Sequence, residues 1–179
     1  LQTKSDFVTL EHLTDKAIIN ISASEKKMFV IFEDTNGEKK MTPLHAPEVD
    51  ELDSTFTENT VMSHTGDLQY RAVDLYSKVG NISDIKCSKS MTLLRNDKAQ
   101  TYIFGYGNLG ALGCGVRSVC SQPKLIKKLE NVPVKSIAVG DSHCLALSTF
   151  GDMYSWGRGI EGQLGQKNFQ VTAYPTRCS

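Results

Sequence analysis

An excess of charge of either sign is missing from this chain: its 179 residues hold 20 Lys and Arg against 20 Asp and Glu. A neutral formal charge removes the overall electrostatic case for nucleic acid as a partner. Also missing is any apolar run near the roughly 18 residues of a membrane-spanning helix, and no signal peptide is visible. The five cysteines (Cys87, Cys114, Cys120, Cys144, Cys178) are odd in number, and no two have C-x-x-C spacing. His12, His45, His64 and His143 are scattered, so no metal site is expected, Cys114 and Cys120 being only weak evidence for one. Free thiols fit a reduced intracellular compartment, cytoplasmic or nuclear. There is no G-x-x-x-x-G-K-[ST] loop for a triphosphate, and Trp156 is the only tryptophan.

What the chain does have is glycine at a fixed interval. From Val134 to Gly165 the pattern predicts short strands at Ile137–Val139, Leu145–Leu147 and Met153–Trp156, ending in the glycine-dense turn Gly157-Arg-Gly159-Ile-Glu-Gly162-Gln-Leu164-Gly165. Fifty-two positions earlier stand Gly105, Gly107, Gly110, Leu112 and Gly113 in the same order, with Tyr102 for Tyr154 and Phe104 for Trp156. A third copy lies 116 positions back, where Leu129, Ile137 and Leu145 fall on Leu13, Ile21 and Phe29. Repeats of roughly 20 to 50 residues with about four short strands each are the mark of a propeller. The expected fold is therefore all-β, a partial β-propeller of four-stranded antiparallel blades.

The pattern Gly140-x-x-His143, then Gly151-x-x-Tyr154-x-Trp156-Gly157-x-Gly159-x-x-Gly162-x-Leu164-Gly165, resembles the repeat of the regulator of chromosome condensation family. That family forms seven-bladed β-propellers with about this repeat length. Residues 117–168 carry the full signature and are expected to form a third blade. Residues 65–116, with Ser88, Met91 and Ala99 for Gly140, His143 and Gly151, are expected to form a second. Residues 1–64 read as a degenerate first blade that keeps only its first strands. An acidic loop insertion spans about 38–69, and residues 169–179 read as the start of a further blade. Three blades fall short of the four to eight that close a ring, so the chain is expected to be a fragment whose partners include remaining blades of the same or another chain.

Several constellations carry chemistry elsewhere. Gly105-Tyr-Gly107-Asn-Leu-Gly110 and Gly157-Arg-Gly159-Ile-Glu-Gly162 are literal G-x-G-x-x-G strings, but a dinucleotide turn must open a helix and neither is followed by helical spacing. Both are expected to be turn glycines, and no cofactor is expected. Asp141-Ser142-His143 places three catalytic residue types side by side, yet neighbours on an extended segment point to opposite faces. The resemblance gives His143 a structural place within the blade, and no catalytic residue is assigned. Trp156 is expected to pack between blades. Glu48, Asp50, Glu51 and Asp53, in a stretch without Lys or Arg, form a candidate partner-binding loop.

The residues imply a non-catalytic module that presents loops to protein partners. The resemblance implies two alternatives. One is a guanine-nucleotide exchange factor acting on a Ran-type small GTPase, as the founding member does. The other is a regulatory propeller beside a ubiquitin-ligase or protein-kinase domain.

Overall fold

Short apolar runs punctuated by glycine pair most readily with their sequence neighbours, and the computed structural model shows them doing so. It describes residues 16–24, 28–33, 35, 37, 39–43, 61–62, 68–69, 76–115 and 119–178. Strands β1 (Ala17–Ala23), β2 (Met28–Glu33) and β3 (Lys39–Pro43) form the first antiparallel sheet. Strands β4 (Val61–Met62) and β5 (Leu68–Gln69) pair only with each other, and one helical turn, α1 (Tyr76–Val79), leads into the second sheet. That sheet runs β6 (Ile82–Cys87), β7 (Met91–Asn96), β8 (Thr101–Tyr106) and β9 (Val119–Leu125). A single 3-10 turn at Lys127–Leu129 connects to the third sheet: β10 (Val134–Val139), β11 (His143–Ser148), β12 (Met153–Gly157) and β13 (Thr172–Arg177). The fold is all-β, built of blade-like antiparallel meanders.

Register shows that all three sheets are copies. The pairing of the first two strands slips at one repeat position in each: between Ile18 and Asn20, between Ile82 and Asp84, and between Val134 and Ser136. A bulge there raises the local right-handed twist, which turns each small sheet into a blade.

Alternation then assigns each blade two apolar faces. Ile85 and Leu94 of the second sheet pack on Phe29 and Ile31 of the first. Ile137, Ala146 and Trp156 of the third pack on Met91, Leu93 and Ile103 of the second. Full burial of each such side chain contributes about 1.5–3 kcal/mol. The sheets therefore stack face to face, with β10 lying against β6 and β7, and β1 against β6.

The blade limits differ from those expected. The first blade has a third strand, because Lys39–Pro43 pairs with β2 from Glu33↔Lys39 to Phe29↔Pro43. Pro43 signals a loop in the sequence but sits on an edge strand, where no ladder donor is needed. The second sheet begins at Ile82, not near residue 65, since β5 pairs only with β4. Val119–Leu125 belongs to the second blade and Thr172–Arg177 to the third, not to the starts of later ones. These fourth strands are polar and carry Pro123 and Pro175 at a register slip on the sheet edge, so apolar alternation does not reveal them. The loop residues Glu48, Asp50, Glu51 and Asp53 lie outside the described residues.

Candidate functional site

Each glycine turn is made by main-chain crowding. Gly105 adopts φ +115° and Gly157 φ +103°. A Cβ on Gly105 would lie 2.2 Å from the Ser90 carbonyl oxygen, and one on Gly157 would lie 2.4 Å from that of Ser142. The same carbonyls accept the next amides, Tyr106 N–H at 2.9 Å and Arg158 N–H at 2.8 Å. Only glycine permits an approach this close with that backbone sign. Gly113 N–H then donates to Gly110 O at 2.9 Å, and Gly165 N–H to Gly162 O at 3.0 Å. Leu112 and Leu164 are buried beneath their respective turns. Among the described residues neither turn opens a helix, and each G-x-G-x-x-G string begins at the end of a strand.

The second blade's turn is clasped by the third blade. Trp156 is fully buried, and its Nε1–H donates to Ala111 O at 3.0 Å. Cys144 Sγ donates to the same carbonyl at 3.6 Å. A Cβ on Gly113 would stand 2.6 Å from Trp156 Nε1, and one on Gly110 would stand 2.6 Å from Ala173 Cα. Gly115 N–H donates to Ala173 O at 3.2 Å, which fixes the far end of the turn. The expected place of Trp156 between blades is therefore occupied, with the indole N–H satisfied.

His143 is half-buried, with its ring over Gly140, where a Cβ would come within 2.5 Å of Cε1. Asp141 is exposed, and the Ser142 carbonyl accepts from Arg158 N–H. Tyr154 packs at the edge of the inter-blade core. Gly151 adopts φ +88° at the β11–β12 turn. Among the described residues no group of three or more His, Cys, Asp or Glu stands close enough to hold a metal, and no helix is long and apolar enough to cross a membrane.

Two features were not legible from spacing. The first is a cavity of about 400 Å³ where the ends of β1, β6 and β10 converge, lined by Ser24, Cys87, Ser88, Lys89, Gly140 and Asp141 among others. Its lining follows from the repeat, since Ser24, Ser88 and Gly140 occupy one repeat position. The second is an apolar rim on the glycine turns. Tyr106 and Leu109 are exposed on the second, and Ile160, Phe169 and Val171 on the third. Leu109 has φ +53°, a left-handed backbone that a leucine adopts at a cost of about 1 kcal/mol. Gly110, the residue after Leu109, abuts Ala173 of β13.

Burial pushes the Cys144 thiol far above the ordinary cysteine range. Burial first, and then the negative charge of Glu130, raise the Tyr102 phenol. Both groups hold their protons more tightly folded than unfolded, so the stability they confer is complete below the unfolded values and is lost as pH rises. Above about pH 8.5 the unfolded thiol ionises while Cys144 does not, and stability is expected to fall by up to about 1.4 kcal/mol per pH unit. Urea unfolding between pH 7 and 10 checks this: Cys144→Ala flattens the decline, and an unchanged slope contradicts it.

A chain of stacked, bulged meanders joined by glycine turns is a repeat protein of the β-propeller class. Residues 99–147 and 151–179 match the regulator of chromosome condensation (RCC1) repeat, and residues 134–163 match a second description of that repeat. These matches lie within residues 99–179 and support an RCC1-like propeller. It is 36% identical over 97 residues to the ultraviolet-B receptor UVR8 of Arabidopsis thaliana, covering 54% of this chain and 22% of the receptor. To the human E3 ubiquitin-protein ligase HERC2 it is 45% identical over 96 residues, covering 52% of this chain and 2% of the ligase. To the mouse X-linked retinitis pigmentosa GTPase regulator it is 31% identical over 101 residues, 55% of this chain and 10% of that protein. The chain thus matches only a small part of each relative. In three dimensions it resembles human WBSCR16, with a TM-score of 0.66 at 19% identity over 97% of this chain and 42% of that one. Prp20p from Saccharomyces cerevisiae gives a TM-score of 0.57 at 18% identity, over 93% and 51%.

Proposed function

We propose that this chain is a non-catalytic protein-interaction module that binds its partner through the rim formed by the two glycine turns. The observation that carries this reading is Leu109. An exposed leucine held in a left-handed conformation is unfavourable for the free protein on two counts, and such positions concentrate where a surface makes contact. Gly105, Gly107, Gly110, Gly113, Gly157, Gly159 and Trp156 are engaged in the fold, which leaves binding to the exposed side chains around them. Leu109→Asn is expected to raise stability by about 0.5–1 kcal/mol, because asparagine tolerates positive φ, while reducing recovery of partners in affinity capture. Equal recovery by wild type, Leu109→Asn and Phe169→Asp, or turnover of a small molecule by the intact chain, overturns the proposal.

A second reading draws on the relatives. One of them is named as a GTPase regulator, and the yeast structural neighbour was described together with its binding to Gsp1p and histones. On this reading the rim engages a small GTPase and speeds nucleotide release by wedging loops against it, without a covalent step. Release of a fluorescent guanine nucleotide from a Ran-type GTPase tests it: acceleration by the chain supports the reading, and an unchanged rate rejects it. A cytoplasmic or nuclear location and a role beside a ligase or kinase domain belong to the same level of proposal.

A further inference from the structure

The cavity at the ends of β1, β6 and β10 is lined tier by tier, each tier holding one position of the repeat. Its first tier is Ala23, Cys87 and Val139. Alanine and valine serve the packing at that place in the neighbouring sheets, so nothing in the fold there calls for sulfur. Of the five cysteines, Cys87 alone lines the cavity. It is half-buried and in no disulfide. The buried Thr92 Oγ1 donates to its sulfur at 3.9 Å, a bond that strengthens when the sulfur is charged. The other thiols are placed differently. Cys144 and Cys120 are 0% and 8% exposed, Cys114 packs on the inter-blade core, and Cys178 Sγ donates to Leu164 O at 3.3 Å.

The hydroxyls of the second tier point to a ligand. Ser24 Oγ is buried with no hydrogen-bond partner among the described residues. Ser88 is 5% exposed, and its Oγ accepts from Met91 N–H at 3.2 Å. Among the described residues the Ser88 proton itself has no acceptor. Buried polar groups are ordinarily satisfied, so donors left over beside a cavity call for an acceptor brought from outside. The third tier adds Lys89 and Asp141, one charge of each sign and both exposed. A volume of about 400 Å³ falls within the range of small-ligand pockets, about 300–1,000 Å³.

We propose that Cys87 is a modification site that exchanges with a low-molecular-weight disulfide of an amino-acid thiol. The seryl hydroxyls and Lys89 receive the carboxylate of the incoming half, and Asp141 faces its ammonium group. The Cys87 thiolate attacks one sulfur of the disulfide, and a new S–S bond to Cys87 forms as the old one breaks. The other half leaves as a thiolate and takes up the proton that Cys87 released. The disulfide is itself the oxidant: the protein thiol loses two electrons and the departing half gains them. The site shares no side chain with the rim of the glycine turns, so this proposal and the interaction-module reading can each fail alone.

The test treats the intact chain with a limiting amount of cystine, or of neutral 2-hydroxyethyl disulfide, and locates the adducts by intact mass and peptide mapping. Each rate is divided by that of the same cysteine in the urea-unfolded chain, which removes the intrinsic reactivity of the disulfide. The expected result is a single adduct, at Cys87. Its normalised rate is expected to be about two- to fivefold higher with cystine than with the neutral disulfide, the size of an exposed ion pair. Asp141→Lys removes that preference and leaves the rate with the neutral disulfide unchanged. Cys87→Ala, the side chain that the first sheet carries at this place, gives no adduct and keeps the circular dichroism of the wild type. A first adduct at Cys114 or Cys178, or equal normalised rates for the two disulfides, overturns the proposal.

Discussion

Replacing Trp156 by alanine is expected to remove about 3–5 kcal/mol of stability, the range for truncating a large buried aromatic side chain. The indole is fully buried between two blades, so no collapse within one sheet can refill its volume. Its loss also takes the indole donor from the Ala111 carbonyl and leaves it the weak Cys144 thiol. Trp156→Phe separates the two effects. Phenylalanine retains most of the packing but not the N–H, and a cost of about 0.5–1.5 kcal/mol is expected from the lost hydrogen bond. Urea unfolding followed by far-ultraviolet circular dichroism measures both. A loss below about 1 kcal/mol for Trp156→Ala would mean that the indole does not join the blades.

Gly157→Ala and Gly105→Ala are expected to be comparably severe, at about 3–4 kcal/mol each, and close to each other in size. In both, the new methyl meets main chain and not a movable side chain: the Ser142 oxygen at 2.4 Å with His143 Cα at 2.8 Å, and the Ser90 oxygen at 2.2 Å with Met91 Cα at 3.0 Å. Relief requires opening the hairpin that holds the turn, which breaks the Arg158–Ser142 or Tyr106–Ser90 hydrogen bond. Gly151→Ala is the control. Its φ is +88°, but nothing among the described residues lies within 4 Å of the new methyl, so only backbone strain of about 1 kcal/mol applies. Equal costs for Gly151→Ala and Gly157→Ala would remove close approach as the reason for the repeated glycine.

These residues also show how much of the fold the sequence discloses. The glycine turns, the inner strands and the inter-blade tryptophan are legible because each depends on a strict local requirement, whether positive φ, apolar alternation or a large ring before a glycine. The fourth strands are not. Cys120 and Leu125 are joined by polar residues and Pro123, and only pairing with β8 makes them a strand. The third strand of the first blade is hidden in the same way, because Lys39, Lys40 and Pro43 read as loop while Met41 packs on the core. Binding surfaces are the least legible part. Leu109 occupies the repeat position of Glu161, and nothing in its spacing shows that its φ is positive. The acidic run Glu48 to Asp53 stands out by composition, which fixes charge but not where a loop sits.

The account rests on the third sheet being seated on the second through the glycine turn. The most direct measurement is a nitrogen-15-edited nuclear Overhauser spectrum of the intact chain, read at the indole N–H of its only tryptophan. Cross-peaks from that proton to the α-protons of Ala111 and Gly113, with slow exchange against solvent, are the predicted result. Cross-peaks confined to β10–β13, or an indole proton that exchanges as fast as one on the surface, would contradict it.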